Sequence, residues 1–320
     1  VHTDGIEING EKIFPLNTIS NSTTVFDNEG GFYPVFETDE YGFNNKKTLY
    51  KKGNIDIVLI GDSFAEGVAV NQSETIQNLL NELQFKTISL GKISNGPLIQ
   101  LASLKEYAQH LKPKIVLWFY IKNDLADLEF ELQSNILNNY IKDSSYTQNL
   151  FYKQKTIDRA LTIYLNNKWE NISGEMSNIV PWLNLRVLNP LSLKQLRSRI
   201  NINRFITIDD YGPNKKPKSN SYQNSIYKDI LITADKMVSG WGGRLIFVYL
   251  PSFEEVISQN PHSKKNFIIK LVKNLNIKLI DIYEQTFQNV KDPISLFPYP
   301  KGFHYNSKGY KEIVKTINQN

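Results

Sequence analysis

The sequence predicts an α/β protein whose parallel sheet of about five strands is covered by helices on both faces. Short apolar runs rich in Val, Ile and Leu recur along the chain, and helical stretches with apolar residues at i, i+3, i+4 and i+7 alternate with them. Gly and Pro mark the joins. Parallel neighbours need crossover helices, and strands buried on both faces read as continuous apolar runs.

The elements follow in order. Residues 1–49 are rich in Gly, Thr and aromatics with short strand-like pieces, and read as an irregular N-terminal extension that wraps the core. Ile55 to Ile60 is a β-rich run that ends abruptly at Gly61-Asp62-Ser63. Ser73 is a plausible N-cap for a helix carrying Ile76, Leu79, Leu80 and Leu83 on one face. Phe85 to Leu90 reads as a strand and Gly91 to Pro97 as a loop. Leu98 to Leu111 reads as a helix closed by Pro113. Ile115 to Tyr120 is the strongest buried-strand signal, so Trp118, Phe119 and Tyr120 are core or site wall. Leu245 to Leu250 and Ile277 to Tyr283 supply two more strands, and a last helix carries Tyr310, Ile313, Val314 and Ile317.

The strand-helix rhythm is lost over residues 127–222, an insertion within a core made of residues 50–126 and 223–320. Leu150 to Leu165 and Leu191 to Ile200 read as helical there, and Gly212 to Ser219 as a polar loop. Trp169 and Trp182 suggest a lid or packing surface over the sheet.

Composition narrows the function. With 320 residues, 41% hydrophobic and 22% charged, the chain can fill a sizeable core, which excludes disordered and collagenous classes. No apolar run reaches the roughly 18 residues of a membrane span. The net charge of +5 comes from scattered cations, which argues against nucleic acid as a partner. Without cysteine there is no disulfide framework, thiolate site or cysteine nucleophile. The histidines are His2, His110, His262 and His304, with no pair at metal-ligand spacing. His110 and His262 read as surface residues. No metal or organic cofactor is implied. The start at Val1 and the absence of cysteine fit an exported or membrane-anchored bacterial protein, with a signal or an anchor removed upstream.

Ligands of open parallel sheets bind beyond the carboxyl ends of the strands. Three such ends carry Gly61-Asp62-Ser63-Phe64, Gly91 to Pro97 with Gly96, and Lys122-Asn123-Asp124. Gly302-Phe303-His304-Tyr305-Asn306 stands just before the last helix. This set resembles the SGNH hydrolase family, the GDSL-type esterases, over residues 50–126 and 223–320. The resemblance implies a flavodoxin-like three-layer α/β/α sandwich and a serine esterase. Ser63 is then the nucleophile, His304 the base, and Ser63, Gly96 and Asn123 the oxyanion donors.

Chemistry supports each role. A hydroxyl attacks an acyl carbonyl when a base takes its proton, and imidazole suits that task at neutral pH. Backbone N–H groups and an amide can hold the developing oxyanion, and a glycine lets backbone approach closely. Asp62 and Asp124 read as structural acids that order their loops. The sequence departs from the family at Lys301, where an aspartate usually orients the histidine, and at Ile121, where a glycine is usual. A backbone carbonyl, a replacement acid such as Asp292, or a silent binding or assembly module are the readings this leaves open. The resemblance implies an O-acyl, most plausibly acetyl, ester on a carbohydrate or cell-surface glycan as substrate. Hydrolysis and O-acetyl transfer to a polysaccharide share the same acyl-enzyme.

Overall fold

The structure of the protein, a computed structural model, describes residues 5–8, 10–51, 54–179, 220–298 and 302–320. Lys301, Trp182, the helix expected at residues 191–200 and the loop expected at 212–219 lie outside the described residues.

The extension forms two antiparallel ribbons, β1 (Ile6–Ile8) with β2 (Glu11–Ile13), and β3 (Thr23–Val25) with β4 (Val35–Glu37). The central sheet holds β5 (Ile57–Ile60), β6 (Thr87–Ser89), β7 (Ile115–Tyr120), β8 (Arg244–Tyr249) and β9 (Lys278–Asp281). All pairings are parallel and the order is β6-β5-β7-β8-β9. Numbered within the sheet this is 2-1-3-4-5, the flavodoxin-like order.

Side chains alternate across a strand, and this sorts the apolar residues into two layers. Val58, Ile60, Val116, Trp118, Leu245 and Phe247 face one layer. It is built from α3 (Pro97–Ser103), α4 (Asp124–Glu131), α5 (Asn135–Lys142), α6 (Gln154–Ile179) and α7 (Asn220–Gly240). Ile57, Leu59, Leu117, Phe119, Ile246 and Val248 face the other. There lie α1 (Ser63–Glu66), α2 (Ile76–Glu82) and α11 (Ser307–Asn318). The fold is a three-layer α/β/α sandwich.

Several boundaries differ from the sequence reading. Ser73 is no cap: Asn71 caps a 3₁₀ turn at Gln72–Glu74, and α2 begins after Thr75. Leu83 is exposed at its C-cap. The helix after β6 carries a π-turn at Leu104–Ala108. That turn presents Glu106, which accepts from Tyr140 Oη, Thr147 Oγ1 and the N–H groups of Gln148 and Leu150. Glu106 thereby ties residues 140–150 to the core. His110 is not a plain surface residue, because its ring stacks on Phe151 at 4.8 Å. His262 is half-buried, and its backbone N–H donates to Glu255. Trp169 is half exposed.

Candidate active site

β5 and its two neighbours β6 and β7 deliver the site. β5 ends at Gly61 and the chain turns at once into α1, so Ser63 stands above the middle of the sheet. Asp62 caps that turn, its Oδ1 accepting from the Phe64 N–H at 3.0 Å. The flanking strands β6 and β7 end beside β5, and their loops carry Gly96 and Asn123. Gly91 lets the β6 loop pass the nucleophile turn, because a Cβ there would lie 2.5 Å from Ala65 Cβ and 2.9 Å from Asp62 O.

His304 stands just before α11, on the same face of the sheet as α1. Its Nε2 lies 2.7 Å from Ser63 Oγ. The ring packs on Phe64 at 4.7 Å between centroids. Its Nδ1 lies 2.6 Å from Glu29 Oε1, and Glu29 Oε2 accepts from the N–H groups of Phe303 and His304 at 3.0 and 3.1 Å. A carboxylate at Nδ1 puts the ring proton there and leaves the Nε2 lone pair for the Ser63 O–H. Burial pushes the Glu29 carboxyl up, but its hydrogen bonds to His304, the imidazole's charge and the Phe303 N–H outweigh this and leave it below its ordinary value.

The acid at His304 therefore comes from the extension, and Asp292 does not hold that place. Asp292 opens a 3₁₀ turn at Pro293–Leu296, where its carbonyl accepts from Ser295. Glu29 lies in the loop between β3 and β4. Phe26 N–H donates to Pro34 O and closes this loop, while Phe26 and Phe36 pack on Val68, just past α1. The same ribbon that grips the nucleophile turn thus carries the acid.

The expected oxyanion donors are close to acids. Asn123 Nδ2 donates to Asp127 Oδ2 at 2.6 Å, and the Asn123 amide also hydrogen-bonds Asp62. A Cβ on Gly96 would lie 2.7 Å from Glu131 Cδ and 2.8 Å from Asp127 Cβ, so the missing side chain makes room for these two residues of α4. Glu131 accepts from the Leu98 and Ile99 N–H groups at the start of α3. Burial pushes Glu131 up to about 8 and Asp62 up to about 6. Asp124 is fully buried between them, and burial, with the charges of Asp62, Asp127 and Glu131, holds its carboxyl well above the usual range. Burial also raises Asp127, against the pull of Asn123. Among the described residues no group of three or more His, Asp or Glu is placed to hold a metal ion.

Among the described residues, two cavities are lined by neighbours of the site residues, though not by Ser63 or His304 themselves. One, of about 840 Å³, lies on the Glu29 side between Gly30 and Phe32, the segment Ala69 to Glu74, and Asp292 to Pro298. The other, of about 110 Å³, lies on the Asn95 and Asp127 side.

No protein-family model matches the chain, and no curated protein matches it. The solved structures to which it is similar are GDSL-type lipases and acylhydrolases. A GDSL-like lipase from Bacteroides thetaiotaomicron is 11% identical, with 82% of this chain and 86% of that chain covered and a TM-score of 0.41. A member of the lipolytic G-D-S-L family from Veillonella parvula is 10% identical over 83% and 97% of the two chains, at a TM-score of 0.43. A lipase/acylhydrolase from Enterococcus faecalis is 11% identical over 83% and 94%, at a TM-score of 0.42.

Proposed function

We propose that the protein is an SGNH-type serine esterase working through an acyl-enzyme, with Ser63, His304 and Glu29 as its triad. The observation that carries this reading is the unbroken line from Ser63 Oγ to His304 Nε2 and from His304 Nδ1 to Glu29 Oε1. Ser63 Oγ attacks the acyl carbon while its proton passes to Nε2, and Glu29 stabilises the imidazolium formed. The carbonyl oxygen becomes an oxyanion for the Ser63 N–H, joined by the Gly96 N–H and the Asn123 amide as these exchange their carboxyl partners Glu131 and Asp127 for it. Collapse breaks the bond to the alcohol oxygen, which leaves with the proton from Nε2. Water, deprotonated by the same nitrogen, then attacks the acyl-enzyme and releases the acid.

The substrate is an O-acyl, foremost acetyl, ester on a carbohydrate or cell-surface glycan. The large cleft lined by Gly30, next to Glu29, and by Asn306 supports a bulky polar alcohol, since Phe32 offers an aromatic face and Asn71, Glu74 and Asp292 offer groups for hydroxyls. A sugar hydroxyl in place of water would make the same acyl-enzyme a transferase. Among the described residues no helix is long and apolar enough to cross a membrane.

Covalent labelling tests the nucleophile. A fluorophosphonate should add to Ser63, read by peptide mass spectrometry, and Ser63→Ala should abolish both labelling and hydrolysis of p-nitrophenyl acetate without lowering Tm. Equal turnover by the two proteins would refute the assignment.

A further inference from the structure

Beside the expected oxyanion donors the structure holds a cavity whose walls come mostly from outside the sheet. Phe14 and Leu16 belong to the extension, Ile99 to α3, Phe130 to the end of α4 and Leu137 to α5. Its lining includes Asn95, the neighbour of Gly96, and Asp127, the partner of Asn123. The chemistry assigns sides to a bound ester. The leaving alcohol must reach His304 Nε2 to collect its proton, and the carbonyl oxygen must face Gly96 and Asn123. The acyl chain therefore extends away from His304, toward the side on which Asn95 and Asp127 line this cavity.

We propose that this cavity is the acyl-chain subsite, that it takes an uncharged acyl group of up to about four carbons, and that Phe14, Leu16, Phe130 and Leu137 set that limit. This rests on the esterase reading given above. The size follows from volume: an apolar cavity of about 150 Å³ holds a six-carbon benzene ring, and this one measures about 110 Å³. The restriction on charge follows from the walls, which are largely apolar side chains and offer a carboxylate-bearing acyl group such as succinyl no unengaged cation, so its charge would be buried unpaired. The Lys92 ammonium, also at the wall, is already held by Asn17 O at 3.3 Å and attracted by Glu66.

Phe130 is 38% exposed, so changing it alters the cavity with little risk to the fold. The experiment measures kcat/KM of the wild type, Phe130→Ala and Phe130→Trp on p-nitrophenyl acetate, butyrate, octanoate and hemisuccinate, with fluorophosphonate labelling of Ser63 in parallel. The wild type should favour acetate and butyrate over octanoate and hemisuccinate by roughly tenfold or more. Phe130→Ala should raise the octanoate to acetate ratio about tenfold, and Phe130→Trp should lower the butyrate to acetate ratio. Chain-length profiles that coincide in all three proteins while Ser63 still labels would overturn the subsite and leave the esterase standing. Absence of both labelling and turnover would overturn the esterase reading, and the subsite with it.

Discussion

At the scale of single residues, the chemistry depends on Glu29, which stands 275 positions from the histidine it touches. Its hydrogen bonds to His304 lower its pKa, so it stays ionised wherever the imidazole has to act. Glu29→Gln keeps the size but loses the charge that fixes the tautomer and balances the imidazolium. It should lower kcat by about 10²–10⁴ with little change in KM. Asp292→Asn should leave kcat unchanged, because its side chain has no contact with His304; kinetics on both variants compare the two acids directly. Ser63, His304, Gly96 and Asn123 stood at strand ends or a helix start, where local pattern reveals them. Lys301 signals only that no acid stands at the usual place, which leaves a backbone carbonyl, a replacement acid such as Asp292 or a silent module open. A lone glutamate in Asn28-Glu29-Gly30-Gly31 carries no periodicity or motif, so only the tertiary path of the extension identifies it.

At the scale of elements, α4 is an acidic neighbour of the site, and two of its acids, Asp124 and Glu131, are buried. Glu131 accepts from two N–H groups at the start of α3 while remaining 6% exposed. Burial raises its pKa from 4.5 to about 8. A carboxyl raised on folding contributes fully below its unfolded pKa, and the contribution is lost as pH rises through the folded value. Glu66, at about 7, and Asp62, at about 6, have the same sign but titrate lower. Tm should therefore decline from pH 5 to pH 9, and its upper part belongs to Glu131. Glu131→Gln, which still accepts from Leu98 and never ionises, should flatten the decline above pH 7; calorimetry across that range checks it. A slope identical to the wild type's would mean that Glu131 ionises freely in the folded chain. The helix pattern placed α2, α3 and α11 well, since each has a single apolar face. It missed the π-turn at Leu104–Ala108, because one inserted residue shifts the phase without changing which residues are apolar.

For the whole molecule, the extension carries the acid of the proposed triad, so its attachment to the core should govern turnover. The sequence showed short strand-like pieces here but not where they dock, because docking runs through single polar side chains rather than an apolar period. Asn45 is the chief of these. Its amide donates to Ser89 O at 2.9 Å and to Asp39 Oδ2 at 2.8 Å, and its Oδ1 accepts from the Ser89 N–H at 2.7 Å. It thus satisfies the open edge of β6 as another strand would. Asp39 gathers the Tyr50 hydroxyl and the Tyr41 and Phe43 N–H groups into the same knot. Asn45→Ala leaves buried backbone groups of Ser89 unpaired, at a cost of about 1–3 kcal/mol. At roughly 2–4 °C per kcal/mol, Tm should fall by several degrees. The ribbon that carries Glu29 leaves the core more often in this variant, so kcat should fall although no residue of the triad has changed. Amide exchange should quicken in residues 11–45 before it does in β7 and β8. A lower Tm with unchanged kcat and unchanged exchange in those residues would show that Ser20 on Asp158 and Phe14 on Gln148 hold the extension instead.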